Sequence, residues 1–473
     1  MSPPPLAVGF DLDMTLIDTV PGFAATLQAL GAELGVEFPV ADLTAKLGPP
    51  LDLMLTPHLA AEAIGPAVDR FRAIYPTHAI EPVSVLPGSH EAVAAVRRHH
   101  GRVVVVTGKF GPNAELHLEH LGIDVDVLAG KVWGVGKAEA LRREGVSIYV
   151  GDHVHDVEGA LAADALSVSV LTGGCTREEL LDAGTHVVLD SLEEFPAWLD
   201  EHLLTNRLAA LEADLRSRGS VLVAYSGGAD SAFLLAAAVR ALGPQNVVAA
   251  TGYSHSLPEV ERDPARAFAE SLGVEVLTPE THEMDREGYR ANGADRCFFC
   301  KAELVEVLAS IAASRGLAVV ATGTNADDAV AGFRPGIRAA DERGAVAPLR
   351  DAGLTKTQVR EASHRWGLPT WDKPAAACLS SRVAYGVEVT PRALARVERA
   401  EAGVRREVSG VRNLRVRDLG DDRASVEVDA DLLPLEDGQL ERVLTLVREA
   451  GFAEVSVDPR GFRSGSMNEA LAR

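Results

Sequence analysis

Short apolar runs rich in β-branched residues recur along this chain, each leading into an Ala- and Leu-rich stretch, and this alternation limits the fold more than any other feature. LAVGF, RVVVVTG, VSIYVGD, LSVSVLTG and HVVLDS form a first series, while VLVAYSGG, NVVAATGY and LAVVATGTN form a second. Strands that alternate with helices pair in parallel and are wrapped by those helices. The expected class is therefore α/β, with two parallel-sheet domains. After GLPTWDKP the pattern changes: NLRVRDLG and ASVEVDADL read as a hairpin, DGQLERVLTLVREAG as a helix and EVSVDPRGF as a further strand. A small α+β lobe closes the chain. The expected domains are 1–200, 201–384 and 385–473, with TNRLAALEADLRSRGS as a linking helix.

Charge narrows the partners. Acidic residues outnumber basic ones 68 to 46, a formal net charge of -22, which disfavours a phosphate backbone as ligand. No apolar run reaches the roughly 20 residues that span a bilayer, and MSPPPLAVGF lacks a basic start. A cytoplasmic protein without nucleic-acid or membrane partners is expected. Four cysteines in 473 residues suit metal binding or catalysis better than a disulfide scaffold.

FDLDMTL sets Asp11 and Asp13 at the end of an apolar strand, with Thr15 close behind. Two carboxylates at this spacing can supply a nucleophile and an acid–base partner around one magnesium ion. Thr107 ends the strand VVVVTGK, Lys137 opens a helix in GVGKAEAL, and Asp152 ends the strand in YVGDHVHD, with Asp156 four residues on. In this order the motifs resemble the haloacid dehalogenase-like phosphatases. The resemblance implies that Asp11 forms an aspartyl phosphate and that Asp13 protonates the leaving alcohol and then activates water. Thr107 and Lys137 would bind phosphate, and Asp11, Asp13 through its carbonyl, and Asp152 would hold Mg2+. Residues 17–85 resemble the family's helical cap. Met14 stands where the family usually has glycine, and Lys131 competes with Lys137 for the lysine role.

VLVAYSGGADSAFLL reads as strand, glycine turn and helix, so Ser226, Gly227, Gly228 and Ser231 would aim amides and hydroxyls at an anion, with Asp230 beside it. The full SGGADS resembles the pyrophosphate-loop (PP-loop) ATPases, which adenylate a substrate oxygen. ATGTNADD, with Asn325, Asp327 and Asp328, is similar to their companion motif beside nucleotide and metal. Together the two resemblances imply two Rossmann-like domains, one HAD-like with a helical cap and one of the adenine nucleotide α-hydrolase type.

Cys297 and Cys300 form a CxxC pair, and Cys378 lies in DKPAAACLSSR; Cys175 falls in the first half. Three thiolates suit a 4Fe-4S cluster with one open iron, whereas zinc needs a fourth ligand such as His282 or His364. CFFCK, GTNADD, RPGIRAADERGAVAPL, TKTQVREAS, GLPTWDKPAAACLSSRVAYG and LRVRDLG follow one another as in the LarE family, sulfur transferases of nickel-pincer nucleotide biosynthesis. That resemblance implies adenylation of pyridinium-3,5-biscarboxylic acid mononucleotide by ATP and replacement of oxygen by sulfur. It makes Cys297, Cys300 and Cys378 ligands of a 4Fe-4S cluster, as opposed to relatives that sacrifice the sulfur of the cysteine matching Cys378. Ser381 and Arg382 match the family's active-site run. Arg415 and Arg417 would share a strand face and clasp a phosphate or carboxylate, oriented by Glu427.

Competing readings are a tRNA thiolase, which should carry a basic surface, an amide-forming PP-loop synthetase, and a nucleotide-binding redox sensor without catalysis. The resemblance also implies a homo-oligomer and contact with other nickel-pincer enzymes. The join of the two halves suggests that the phosphatase acts on a nucleotide of the same pathway.

Overall fold

The computed structural model describes residues 6–45, 47–330, 332–374 and 377–463. The chain divides into two compact units that meet in sequence at Leu203 and Leu204. A helix, Phe195–Arg218, carries the chain from one to the other.

In the first unit the strands are β1 (Ala7–Phe10), β2 (Ile17–Asp18), β3 (Ser84–Val85), β4 (Arg102–Val106), β5 (Val127–Ala129), β6 (Ile148–Gly151), β7 (Leu166–Val170) and β8 (Val187–Leu189). Six of them form a parallel sheet in the order β5-β4-β1-β6-β7-β8. All four residues of β1 are buried, as a central parallel strand covered on both faces demands. β2 and β3 pair antiparallel, Ile17 against Val85, and so close a neck beneath an inserted helical cap. The cap helices Val20–Leu34 and Ala61–His78 bury their own core, in which Phe23 and Phe71 pack with ring centroids 5.3 Å apart.

The second unit holds β9 (Val221–Ala224), β10 (Val247–Ala250), β11 (Glu275–Leu277) and β12 (Val319–Thr322), then β13 (Leu414–Asp418), β14 (Arg423–Val428) and β15 (Glu454–Val457). The first four are parallel in the order β11-β10-β9-β12, and the last three form a separate mixed sheet. Helix Ala229–Leu242 follows β9; it is apolar nearly all round because the sheet lies on one side and helix Lys356–Arg365 packs on another. The small sheet has its own core beneath helices Pro391–Glu407 and Asp437–Glu449. No helix among the described residues is long and apolar enough to cross a membrane.

Phe233 is fully buried on helix Ala229–Leu242 and stacks on Trp366 at 4.8 Å. Phe233→Ala is expected to cost the second unit about 3–5 kcal/mol, read as a lower denaturant midpoint for that unit alone.

Candidate active sites

Parallel pairing brings the ends of β1, β4 and β6 to one edge, and the first site is built there. Asp11 follows β1, Thr107 follows β4 and Asp152 follows β6, all buried. Lys137, at the start of helix Lys137–Arg143, donates to Asp11 Oδ1 at 2.6 Å, to Asp156 Oδ1 at 2.6 Å and to the Tyr149 hydroxyl at 2.9 Å. Lys131 sits instead in a left-handed turn with its ammonium over the Phe110 ring. Oxygens of Asp11, Asp152 and Asp156 lie within 4.8 Å of one another, a trio found nowhere else among the described residues. Burial raises the Asp11 pKa to about 7 despite the opposing charge of Lys137, and burial with the nearby Asp156 and Asp11 carboxylates raises that of Asp152 well above the usual carboxylate range.

Such a concentration of buried acids fits a divalent cation, and the surrounding backbone is shaped for it. A Cβ on Gly173 would stand 1.8 Å from Asp152 Oδ2, and one on Gly151 would stand 2.4 Å from the Asp156 carboxyl carbon. Thr15 donates to Asp152 Oδ1 at 2.9 Å.

The side chain of Asp13 stays outside the acid trio, which leaves its carbonyl as the expected ligand: Thr19 at 2.5 Å and Lys109 at 2.8 Å both hold its Oδ1. Asp156, the third residue of helix Val154–Ala162, completes the trio, a role not expected of it; its offset of four from Asp152 was the available signal. Lys109 was missed altogether. Its ammonium reaches the Tyr75 hydroxyl at 2.7 Å, which bonds His117 Nε2 at 3.0 Å, so Asp13 is linked to the cap helix Ala61–His78. Met14 takes φ 58°, a left-handed backbone that glycine adopts most readily.

The second site opens where β9 turns into helix Ala229–Leu242. Gly227 adopts φ 71°, and a Cβ there would strike the Ala265 side chain at 2.7 Å. The Ser226 amide donates to Ser231 Oγ at 3.2 Å, and the two hydroxyls lie 3.1 Å apart. Asn325 donates to Asp230 Oδ1 at 3.1 Å, joining the companion motif to the loop. Asp230 is pushed up by burial. A cleft of about 370 Å³ is lined by Ser226, Gly228, Asp230, Ser231, Asp328, Cys300 and Cys378. Asp327 is a correction: it accepts the Lys356 amide at 2.7 Å, at the start of helix Lys356–Arg365, and does not line the cleft. Lys301 does line it, with its pKa lowered by burial; its place directly after the CxxC pair was the overlooked signal.

Cys297 and Cys300 occupy the first turn of helix Arg296–Ser314, three apart and therefore on one face. Cys378 immediately precedes the short turn Leu379–Arg382. Burial raises the Cys300 pKa, and the neighbouring Cys378 raises it further. The three sulfurs do not close to the 4.8 Å spacing of the aspartate trio. Neither His282 nor His364 lines the cleft; His364 packs its ring on Trp371 at 4.7 Å.

Ser381 and Arg382, expected to be catalytic, hold the cysteine loop. Ser381 Oγ donates to the Cys378 carbonyl at 2.7 Å, and Arg382 reaches the same oxygen at 2.9 Å while pairing with Glu401 at 2.9 Å. A second cleft of about 680 Å³ shares Pro258, Glu261 and Ala377 with the first and sets Lys373 and five arginines, Arg382 and Arg415 among them, against five carboxylates. Burial and the neighbouring Arg382 lower the Arg415 pKa to about 10. Arg417 departs from expectation, whereas Glu427 orients an arginine as expected: the two pair at 2.8 Å, both buried, and Arg417 donates to the Ser381 carbonyl at 3.1 Å, so neither lines the second cleft.

With this geometry in place, known proteins can be compared. The family described as haloacid dehalogenase-like hydrolase matches residues 8–161, and that described as NAD synthase matches residues 204–383. An uncharacterized protein of Synechocystis, slr1717, is 38% identical over 57% of this chain and all of its own length. Pyridinium-3,5-bisthiocarboxylic acid mononucleotide synthase of Lactiplantibacillus plantarum is 34% identical over 57% of this chain and 96% of its own. The chain belongs to the LarE family. Its LarE half follows a separate hydrolase-type half, which is 30% identical to tyrosine-protein kinase PtkA of Mycobacterium tuberculosis, over 39% of this chain and 68% of the relative. That half is also 30% identical to phosphoglycolate phosphatase of Rhodospirillum rubrum, over 41% of this chain and 91% of the relative.

Two outcomes follow. Divalent cations are expected to bind the first unit more tightly as pH rises through about 7, by up to about tenfold per pH unit, because Asp11 must lose its proton; titration calorimetry at pH 6 and pH 8 measures this. In the LarE unit a Cβ on Gly323 would meet the Ser231 amide nitrogen at 2.8 Å. Gly323→Ala should therefore displace the start of the nucleotide-loop helix and weaken ATP binding at least about tenfold, roughly 1.4 kcal/mol, in equilibrium dialysis.

Proposed function

We propose that the LarE unit is an ATP-dependent sulfur transferase acting on pyridinium-3,5-biscarboxylic acid mononucleotide for nickel-pincer cofactor biosynthesis, and that the first unit is a magnesium-dependent phosphatase. One observation carries the first reading: the nucleotide loop, Cys300 and Cys378 line one cleft, and at Ala377 that cleft meets one that carries Arg382 and Arg415. A doubly carboxylated nucleotide needs such cations in a chain whose net charge is -22.

The chemistry follows from these positions. Ser226, Gly228 and Ser231 receive the ATP phosphates, aided by the positive end of helix Ala229–Leu242. A substrate carboxylate oxygen bonds to the α-phosphorus, and pyrophosphate leaves. The carboxyl carbon, now an acyl adenylate, accepts sulfur and releases AMP with the original oxygen. Arg415 and its neighbours orient the substrate's anionic groups, and Arg382 and Ser381 hold the Cys378 backbone in place. Cys297, Cys300 and Cys378 would hold a 4Fe-4S cluster, which when bound supplies a labile sulfide.

In the phosphatase unit Asp11 attacks phosphorus, Thr107 and Lys137 hold phosphoryl oxygens, and Asp13 passes a proton to the leaving oxygen and later takes one from water. Asp11, Asp152 and the Asp13 carbonyl would hold Mg2+, with Asp156 beside them, and the ion supplies charge neutralisation at the phosphoryl oxygens.

Protein purified without oxygen is expected to carry about four irons with acid-labile sulfide, both lost in Cys297→Ala. Zinc without iron would overturn the cluster reading. Metal-free protein that loses the Cys378 sulfur in a single turnover would make that residue a sacrificial donor.

A further inference from the structure

The hydrolase-type site is small and carries cations the phosphatase chemistry does not use. Its cavity is about 170 Å³, below the roughly 300–1,000 Å³ of pockets that enclose drug-sized ligands, so a whole mononucleotide does not fit inside it. The transferred phosphoryl group sits at Asp11 and Lys137. The leaving group departs on the Asp13 side, and there Lys109 stands 2.8 Å from Asp13 Oδ1. Arg72, from cap helix Ala61–His78, lines the same cavity with its guanidinium 5.3 Å from the Phe110 ring centroid and only a 3.7 Å contact to Asp69. Lys109 already answers the Asp13 carboxylate, but a sugar or nucleoside leaving group offers Arg72 no charge. A second anionic group, close behind the first phosphorus, does.

One small molecule with that chemistry is made by the other half of the chain. On the reading that the LarE unit adenylates its substrate, each activation releases one pyrophosphate. We propose that the first unit hydrolyses this inorganic pyrophosphate. An Asp11 carboxylate oxygen bonds to one phosphorus as the bridging P–O bond breaks, and orthophosphate leaves between Lys109 and Arg72. Water then attacks the aspartyl phosphate, giving a second orthophosphate and the free Asp11 carboxylate. One water is consumed and nothing is oxidised or reduced. Removal of pyrophosphate makes adenylation irreversible, which gives the fusion a chemical purpose. The proposal replaces a pathway nucleotide as the expected substrate.

The test uses the full chain with Mg2+ and follows orthophosphate. Pyrophosphate is expected to have a kcat/KM at least tenfold above those of phosphoglycolate and AMP, and Asp11→Asn should abolish its hydrolysis. Arg72→Ala should lower kcat/KM for pyrophosphate at least tenfold more than for p-nitrophenyl phosphate. Equal or better turnover of phosphoglycolate would assign the two cations to a carboxylate and overturn the proposal, as would preference for AMP or hydrolysis that survives in Asp11→Asn. A second arm supplies ATP and the biscarboxylic nucleotide. Asp11→Asn protein should then accumulate pyrophosphate, one per AMP, where the wild type yields orthophosphate. If no AMP forms, the adenylation reading fails and with it the internal source of pyrophosphate, while the first arm still decides what the hydrolase site accepts.

Discussion

A parallel sheet delivers the loop after every strand to one edge, and both sites of this chain depend on that. In the first unit three neighbouring strands bring Asp11, Thr107 and Asp152 together although 141 residues of sequence, from 11 to 152, separate the outer two. In the second unit β9 and β12 are neighbours, so the glycine turn after one meets Asn325 after the other. Helices that cover the sheet then contribute their positive ends at the same edge. Residues of opposite charge gather there because the topology leaves them no other place.

Gathering charge at a buried edge is costly unless it is balanced. The first unit balances with Lys137, shared between Asp11 and Asp156, and leaves a surplus of negative charge that a cation would complete. The second unit sets cations against carboxylates in one cleft: Lys373 and five arginines face Glu259, Glu261, Asp263, Glu398 and Glu401, with Lys373 paired to Glu261 and Arg382 to Glu401. Only the first site is left unfinished in the sign that its proposed ligand supplies.

The strands, the domain order and the residues at strand ends were legible in the sequence, because each depends on a local run ending in a turn. DLD, TGK, GDH and SGGADS are contiguous, and their backbone role follows from periodicity alone. Residues recruited across the fold were not legible. Lys109 acts on Asp13 and Tyr75 from different elements, and nothing in TGKF signals that partnership. Arg405, Arg406 and Arg412 come from the end of helix Pro391–Glu407 and the loop after it, and only folding sets them beside Arg382. Asp327 and Asp328 are adjacent in sequence, yet a helical turn points one at Lys356 and the other into the cleft. Arg417 was read as a ligand group because strand alternation fixes a shared face but not whether that face is open, while Glu427 holds it as expected.

The neck formed by β2 and β3 is only two residue pairs wide, Ile17 with Val85 and Asp18 with Ser84. The cap therefore leaves and rejoins the sheet at one point, and its core is separate from the core beneath the sheet. The cap nevertheless reaches the catalytic edge, since its Tyr75 holds Lys109 and Lys109 holds Asp13. A change of cap would therefore be felt first at Asp13, while Asp11 and Lys137 answer to the sheet.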